Sequence, residues 1–161
     1  MDRTNDGRPI KMLTLIDEFT KELLAIYPAH RIRAHDLIDI FADVMIEHGV
    51  PEHIRSGHGP EMVAKKRRSW LSKVGAKSLY ITPWSPWENG YCDSFNGKLR
   101  NESLNGEIFY TLREAQVLIE QWRCHYNRVR PQSALGYRPP APAARGLALV
   151  PRIAAQSKRA A

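Results

Sequence analysis

Residues Arg55–Met62 read RSGHGPEM, and this stretch decides how the fold is interpreted. A short strand-like run, Glu52–Arg55, ends at a glycine-rich corner, and a helix is predicted to begin at Pro60. Such a corner is typical of an α/β protein, which collects functional groups at the carboxyl ends of its strands. However, the corner offers only Gly57 and His58 for chemistry. The corner therefore lies where a functional site is expected, but its side chains offer few chemical groups for one.

Apolar periodicity predicts strands that alternate with helices, which is the pattern of an α/β fold with helices covering a sheet. Two apolar runs joined by a short polar turn indicate a β-hairpin. Thr111 and Glu114 form a T-x-x-E capping box before the last long helix. The predicted strands are Ile10–Ile16, Leu23–Tyr27, Pro51–Arg55 and Lys77–Ile81, and the predicted helices include Ala34–His48 and Pro60–Val74.

Composition predicts one soluble, cytoplasmic domain with a basic surface. The 161 residues are 43% hydrophobic and 25% charged, which is globular rather than disordered. No apolar run reaches the roughly 18 residues that a membrane helix needs. A net charge of +7 and a pI near 9.6 indicate a polyanionic partner, nucleic acid first, rather than a merely soluble basic surface. The basic residues cluster at Lys65–Arg68, at Arg123, Arg128, Arg130 and Arg138, and in the tail SKRAA.

The helix predicted after the loop TPWSPWENG has one apolar and one polar face. Its apolar positions are Cys92, Phe95 and Leu99, and its polar positions are Asn89, Asp93, Asn96 and Arg100. Thirty-five residues separate Gly57 from Asp93. By itself this spacing is compatible with a solvated helix face.

Several segments together resemble one known family. RSGHGPEM, ENGYCDSFNGKLR and NRVRPQSALGYRPPAPA, with the N-terminal DRTNDGRPIKMLTLIDEFTKELLAI, resemble the catalytic core of bacterial insertion-sequence transposases related to retroviral integrases. The resemblance runs over about Asp2–Ala143. It implies an RNase H-like fold, with a mixed central sheet of five strands flanked by helices. The core is expected to span 1–143, followed by a flexible basic tail over 144–161.

The same resemblance implies three carboxylates that hold two Mg²⁺ or Mn²⁺ ions for cutting and joining DNA. The family's first Asp lies a few residues before the segment that matches Asp2, and Asp17, the alternative ligand, matches a turn. Gly57 occupies the second Asp position, with His58 one residue away as a poor substitute ligand. Asp93 occupies the Glu position and has a side chain one methylene shorter. The metal site is therefore expected to be degenerate, and this polypeptide alone is expected to be catalytically inactive.

The resemblance also places the family's first strand in the middle of the sheet, between the hairpin and the strand that leads to Gly57. A chain that begins at Met1 lacks most of this strand. We therefore expect unpaired backbone groups beside a gap in the core, and marginal stability. The hairpin is expected to dock differently, stay loose or pair with another chain.

Phosphate contacts are expected from basic and polar side chains on the two helices and the C-terminal arm. Trp84 and Trp87 either stack on an unpaired base near a DNA end or pack within the protein. The predicted DNA-binding residues are Lys65, Lys66, Arg67, Arg68, Asn89, Asn96, Lys98, Arg100, Arg128 and Arg130, with Arg138 in the arm.

Three functional hypotheses follow from the residues and the resemblance. The first is an integrase core associated with DNA integration and transposition that has lost activity. The second is a non-enzymatic module that binds DNA or captures intact transposase subunits in a homo- or hetero-oligomer. The third is an expressed remnant without function. Salt-dependent DNA binding without cleavage favours the second over the third.

Overall fold

A mixed five-stranded sheet forms the centre of the protein, in a computed structural model that describes residues 4–57, 59–60, 64–81, 86–105, 107–140 and 153–159. The strand order is β2-β1-β5-β3-β4. β1 runs antiparallel to both of its neighbours, and β3 runs parallel to both of its own. The strands are β1 Lys11–Asp17, β2 Leu23–Ala29, β3 His53–Ser56, β4 Lys77–Tyr80 and β5 Ile153–Arg159.

The helices with described bounds flank the sheet, and the prediction for the first of them is confirmed at both ends. The helices are α1 Ala34–His48, α2 Lys65–Val74, α3 Pro86–Leu99 and α4 Leu112–Val129. A π-helical turn, Arg100–Leu104, continues α3, and a short 3-10 helix, Ser133–Leu135, follows α4. No helix in these described ranges is both long and apolar enough to cross a membrane.

Local capping explains where two of these helices begin. Thr111 Oγ1 accepts a hydrogen bond from the Glu114 backbone N–H at 3.1 Å, which confirms the predicted cap of α4. Asp36 accepts from the Arg33 backbone N–H at 2.7 Å at the start of α1. The helix predicted over Pro60–Val74 is interrupted at Ala64, whose backbone is not helical, so that α2 begins at Lys65. Pro60 itself is helical, and residues 61–63 lie outside the described residues.

Two apolar layers lie on opposite faces of the sheet. Leu13 and Leu15 belong to the layer formed with α1 and α2, whereas Ile16 belongs to the layer formed with α3 and α4. Each of these three side chains is at most 1% exposed. β1 is thus buried on both faces, which is why its sequence reads as a nearly continuous apolar run.

The edge strand β2 is held by side chains of α4. The Asn127 side chain accepts from the Leu23 backbone N–H and donates to the Leu23 carbonyl oxygen, both at 2.9 Å. Arg123 donates to the carbonyl oxygens of Leu23 and Leu24 at 3.1 and 3.3 Å. These contacts replace a neighbouring strand at a sheet edge that would otherwise present unpaired backbone groups.

The C-terminal region differs from the predicted flexible tail. The backbone of Ile153–Arg159 forms β5, which lies between β1 and β3 at the centre of the sheet. The gap that the sequence predicted beside the hairpin is therefore filled, because β5 supplies hydrogen-bond partners to the strands on both sides. Residues 144–152 and 160–161 lie outside the described residues.

Candidate nucleic-acid surface and the corner at Gly57

The corner after β3 has room for a side chain at Gly57. Gly57 is half-buried and follows the buried Ser56, the last residue of β3. A Cβ atom added at Gly57 would meet no atom within 4 Å, and its backbone is outside the left-handed region. Neither space nor backbone strain therefore requires glycine at this position. His58 lies outside the described residues.

Asp93 lies on the solvent side of α3. Two residues further on, Phe95 is 2% exposed, and Leu99 is 1% exposed, so the predicted apolar face is confirmed at these positions. Phe95 packs against Trp122 and Tyr126 of α4, with ring centroids 5.7 and 5.4 Å apart. This aromatic cluster fixes the helix and leaves Asp93 exposed.

Other parts of the predicted polar face are only partly described. Asn96 is half-buried on α3, and Lys98 and Arg100 are exposed. The side chains of Asn89, Cys92 and Trp87 lie outside the described residues, as does the whole of Trp84. The proposed stacking of the tryptophans on DNA therefore stays a prediction.

Asp17 is the last residue of β1, directly before the turn that the match of IDEFT indicated. Its buried carboxylate accepts from the backbone N–H groups of Phe19 and Thr20 at 2.8 and 3.1 Å. Asp17 also lies away from the Gly57 corner. It is the cross-strand partner of Ile153 on β5, and Ile153 is the cross-strand partner of Ile54 on β3. Ile54 precedes Gly57 by three residues, roughly 10 Å along a strand.

The described residues do not contain a metal centre. No group of three or more His, Cys, Asp or Glu side chains converges there in a way that could hold an ion. Gly57 has no ligand atom in its side chain, so that Asp93 supplies the one carboxylate of these two predicted ligand positions. Mg²⁺ requires several oxygen ligands in near-octahedral geometry, so these residues do not fit a two-metal site.

The basic run at the start of α2 divides into exposed and buried members. Lys65, Lys66 and Arg68 are exposed, as the prediction of DNA contacts requires. Arg67 differs, because its side chain is 0% exposed and cannot reach a phosphate in this conformation. It lies one helical turn before the buried Leu71, on the face that packs against the sheet. That spacing was the signal that the run is not uniformly solvated.

The buried guanidinium of Arg67 is poorly satisfied. Nη2 donates to the Tyr80 hydroxyl at 3.3 Å, and Cζ lies 6.0 Å from the Tyr80 ring centroid. Nε and Nη1 have no hydrogen-bond partner among the described residues, and neither does the buried Oγ of Ser56. Burial lowers the pKa of Arg67, which reflects the cost of keeping this charge away from water.

Some basic residues of the C-terminal half form ion pairs within the protein. Arg130 is paired with Glu102, and its Cζ lies 5.8 Å from the Tyr126 ring centroid. The hydrogen bond from Arg130 lowers the pKa of Glu102. Arg123 is bound to Glu120 at 2.6 Å besides holding β2, so its role is structural. Arg128 and Arg138 are exposed, and Arg138 also donates to the Leu135 carbonyl oxygen at 3.2 Å.

Comparison with known proteins identifies the family and the fold. A family model described as "Integrase core domain" matches residues 1–86, and a second model with the same description matches residues 74–140. The first match alone covers 86 of 161 residues. The chain belongs to the integrase core domain family, and the predicted resemblance is confirmed.

The relatives include proteins of bacterial insertion elements. The chain is 36% identical over 140 residues to the 39.2 kDa protein of insertion element IS476 from Xanthomonas euvesicatoria, covering 87% of this chain and 40% of the relative. It is 37% identical to the 31.7 kDa protein of IS407 from Burkholderia multivorans, covering 87% of this chain and 50% of that protein. The chain thus spans half or less of the length of these two relatives.

Solved structures with the same fold are retroviral integrase catalytic cores. The bovine immunodeficiency virus (BIV) integrase core matches with a TM-score of 0.64 at 12% identity, covering 87% of both chains. A chain of the simian T-cell lymphotropic virus intasome matches with a TM-score of 0.69 at 13% identity, covering 92% of this chain and 53% of that one. The RNase H-like α/β fold predicted from the resemblance is confirmed.

Proposed function

We propose that this chain acts in DNA integration and transposition as a DNA-binding integrase core that does not cut or join DNA by itself. Gly57 carries the proposal, because it stands at the carboxyl end of β3 where the family's motif has an Asp. Asp93 supports it, since a carboxylate shortened by one methylene can displace a ligand by about 1 Å. Integrase cores use divalent metal ions, and the HTLV-2 core has been solved with magnesium.

The test is strand transfer on DNA ends of related insertion elements, with Mg²⁺ or Mn²⁺. We expect no product from the full chain. A separate measurement follows Mn²⁺ binding by electron paramagnetic resonance in the full chain and in the Gly57→Asp/Asp93→Glu variant. The variant is expected to bind Mn²⁺ more tightly, because position 57 has room for a carboxylate. Strand transfer by the unmodified chain would refute the proposed inactivity.

DNA binding rests on the exposed basic residues of α2 and α3. Lys65, Lys66 and Arg68 share one end of α2 and are all exposed. Phosphate contacts make log K fall with log[salt] with a slope of about −0.9 per contact. Replacing these three residues with Ala is therefore expected to make the slope shallower by up to about 3. Lys73→Ala, also exposed on α2, is the matched control and should change the slope little.

Assembly with other subunits belongs to the same proposal. The HTLV-2 integrase core has been solved in dimeric and trimeric forms. We expect this chain to associate with itself or with an intact transposase in the bacterial cytoplasm, where the DNA lies. Light scattering of the purified chain measures self-association. Co-expression with an intact transposase tests capture, and a transposition frequency unchanged by co-expression would argue against it.

A further inference from the structure

A small buried polar cluster lies between α2 and the end of β3. Its members are Arg67 of α2 and the cross-strand partners Ser56 and Tyr80 of β3 and β4. Ser56 follows Ile54 by two residues along β3, so the two side chains lie on the same face of the sheet. Ile54 packs in one apolar layer with Leu71 of α2, so this is the face that α2 covers. The polar side chains of the cluster are therefore enclosed between a helix and the sheet.

Much of the hydrogen-bonding capacity of this cluster is unused. Arg67 and Ser56 are both 0% exposed. Arg67 Nη2 donates to the Tyr80 hydroxyl at 3.3 Å, whereas Arg67 Nε, Arg67 Nη1 and Ser56 Oγ have no partner among the described residues. Buried polar groups of native proteins are nearly always hydrogen-bonded. Three such atoms in one cluster, all able to donate, therefore call for a hydrogen-bond acceptor.

The charge of the cluster is also uncompensated. An arginine side chain stays protonated in proteins, so Arg67 brings one positive charge into the interior. Burial and the like charge of Arg68 lower the pKa of Arg67, and among the described residues only Tyr80 acts in the opposite direction. A buried charge is normally paired with a charge of opposite sign. The group that would satisfy the cluster is thus a single negative charge that accepts hydrogen bonds.

We propose that Arg67 and Ser56 form an internal binding site for one small monovalent anion of the size of chloride. One negative charge neutralises the guanidinium, and a spherical ion accepts charge-assisted hydrogen bonds from several directions at once. Phosphate and sulfate suit the cluster poorly, because each has more acceptor oxygens than these few donors can satisfy. The chain leaves room at this end of β3, since a Cβ atom added at Gly57 would meet no atom within 4 Å.

Binding of the anion is expected to make the stability of the protein depend on chloride. A ligand that binds only the folded state raises the folding equilibrium constant by a factor of 1 + [L]/Kd, so chloride at ten times its Kd raises it about elevenfold. The measurement is urea denaturation of the full chain in mixtures of sodium chloride and sodium gluconate at constant sodium concentration. Gluconate serves as an anion that is too large for the site.

Matched variants separate this site from general effects of salt. Arg67→Met removes the charge and its donors, so the difference between chloride and gluconate is expected to vanish. Ser56→Ala keeps the guanidinium and removes one donor, so the Kd for chloride is expected to rise about tenfold. Arg68→Met, at the exposed neighbouring position, is expected to keep the full chloride dependence. In gluconate, Arg67→Met is expected to be more stable than the natural chain, and chloride narrows this difference.

Bromide locates the anion directly, because it replaces chloride and scatters X-rays anomalously. Crystals of the natural chain grown in sodium bromide are expected to show an anomalous peak within hydrogen-bonding distance of the Arg67 guanidinium. Equal stability in chloride and gluconate would overturn the proposal, as would a chloride effect that Arg67→Met retains. Water alone at the guanidinium would overturn it too. A bromide peak without chloride-dependent stability would mean binding at crystal concentration only, which also contradicts the proposal.

The anion site is independent of the proposed DNA-binding role. That role rests on the exposed residues Lys65, Lys66 and Arg68, whereas Arg67 is buried. DNA binding by Arg67→Met is measured in parallel and is expected to equal that of the natural chain. Failure of the anion site and failure of the proposed function are therefore distinguished.

Discussion

Replacing Arg67 with methionine is expected to stabilise the protein, which is unusual for a substitution of a buried residue. The Arg67 side chain is 0% exposed, and two of its nitrogens have no partner among the described residues. Each unsatisfied buried donor costs about 1–3 kcal/mol. The hydrogen bond to Tyr80 at 3.3 Å returns about 0.5–1.5 kcal/mol.

Methionine retains most of the apolar stem of Arg67 and leaves no charged group to desolvate, so the cavity cost is small. We expect the free energy of unfolding to rise by about 1–3 kcal/mol, in line with replacements of buried charges by apolar side chains. For a chain of this size, that corresponds to a rise in Tm of about 2–12 °C. Urea denaturation is expected to show a higher midpoint with an unchanged m-value.

Arg68→Met is the matched control, since Arg68 is the exposed neighbour on the same helix. It is expected to change the free energy of unfolding by less than about 0.5 kcal/mol. The two variants should behave in the opposite way in DNA binding, where Arg68→Met weakens affinity and Arg67→Met does not. A drop in Tm for Arg67→Met larger than for Arg68→Met would refute the reasoning, because it would mean that the guanidinium is well paired.

Two further predictions concern side chains of α4. Asn127→Ala is expected to lower the free energy of unfolding by about 1–3 kcal/mol in urea denaturation, because it removes both buried hydrogen bonds to Leu23. Arg128→Ala, at an exposed neighbouring position, is the control. An equal effect of the two substitutions would contradict the role of Asn127. The hydrogen bond from Arg123 lowers the pKa of Glu120 from its usual 4.5. This pair therefore stabilises the folded state above pH 4.5, and the stabilisation is lost as pH falls through the lowered value. Denaturation series from neutral to acid pH should show a slightly steeper loss of stability for the natural chain than for Glu120→Gln. The difference is expected to be a few tenths of a kcal/mol, because the Glu120 side chain is 51% exposed to solvent. Identical pH profiles of the two proteins would count against this role.

Elements with a strong local pattern could be predicted from the sequence. The boundaries of α1 follow from its apolar spacing and from Gly49 at its end, and the structure reproduces them. The capping box at Thr111 locates the start of α4 in the same way. The motif alone predicted that Gly57 stands at the family's Asp position, and this stays a prediction. In each case the decisive interactions join residues that lie within a few positions of one another.

Contacts between distant segments could not be predicted in this way. The pairing of Asn127 with Leu23 joins residues 104 positions apart, and nothing local marks Asn127 as the partner of an edge strand. Arg67 belongs to a basic run that reads as a solvated surface, and only its packing against the sheet shows that it is buried.

The sequence by itself determined the integrase-core family and the helices with a strong periodicity, and it predicted that Gly57 stands where the family's motif has an Asp. Only the tertiary structure decided which segment completes the sheet. Strand pairing uses backbone groups that every residue carries, so a segment as weakly strand-like as Ile153–Arg159 can occupy the centre when β1 and β3 leave a position open. The strand propensity of a segment reflects the local conformational preference of its residues. The unpaired backbone groups of β1 and β3, by contrast, need hydrogen-bond partners only once the sheet has assembled.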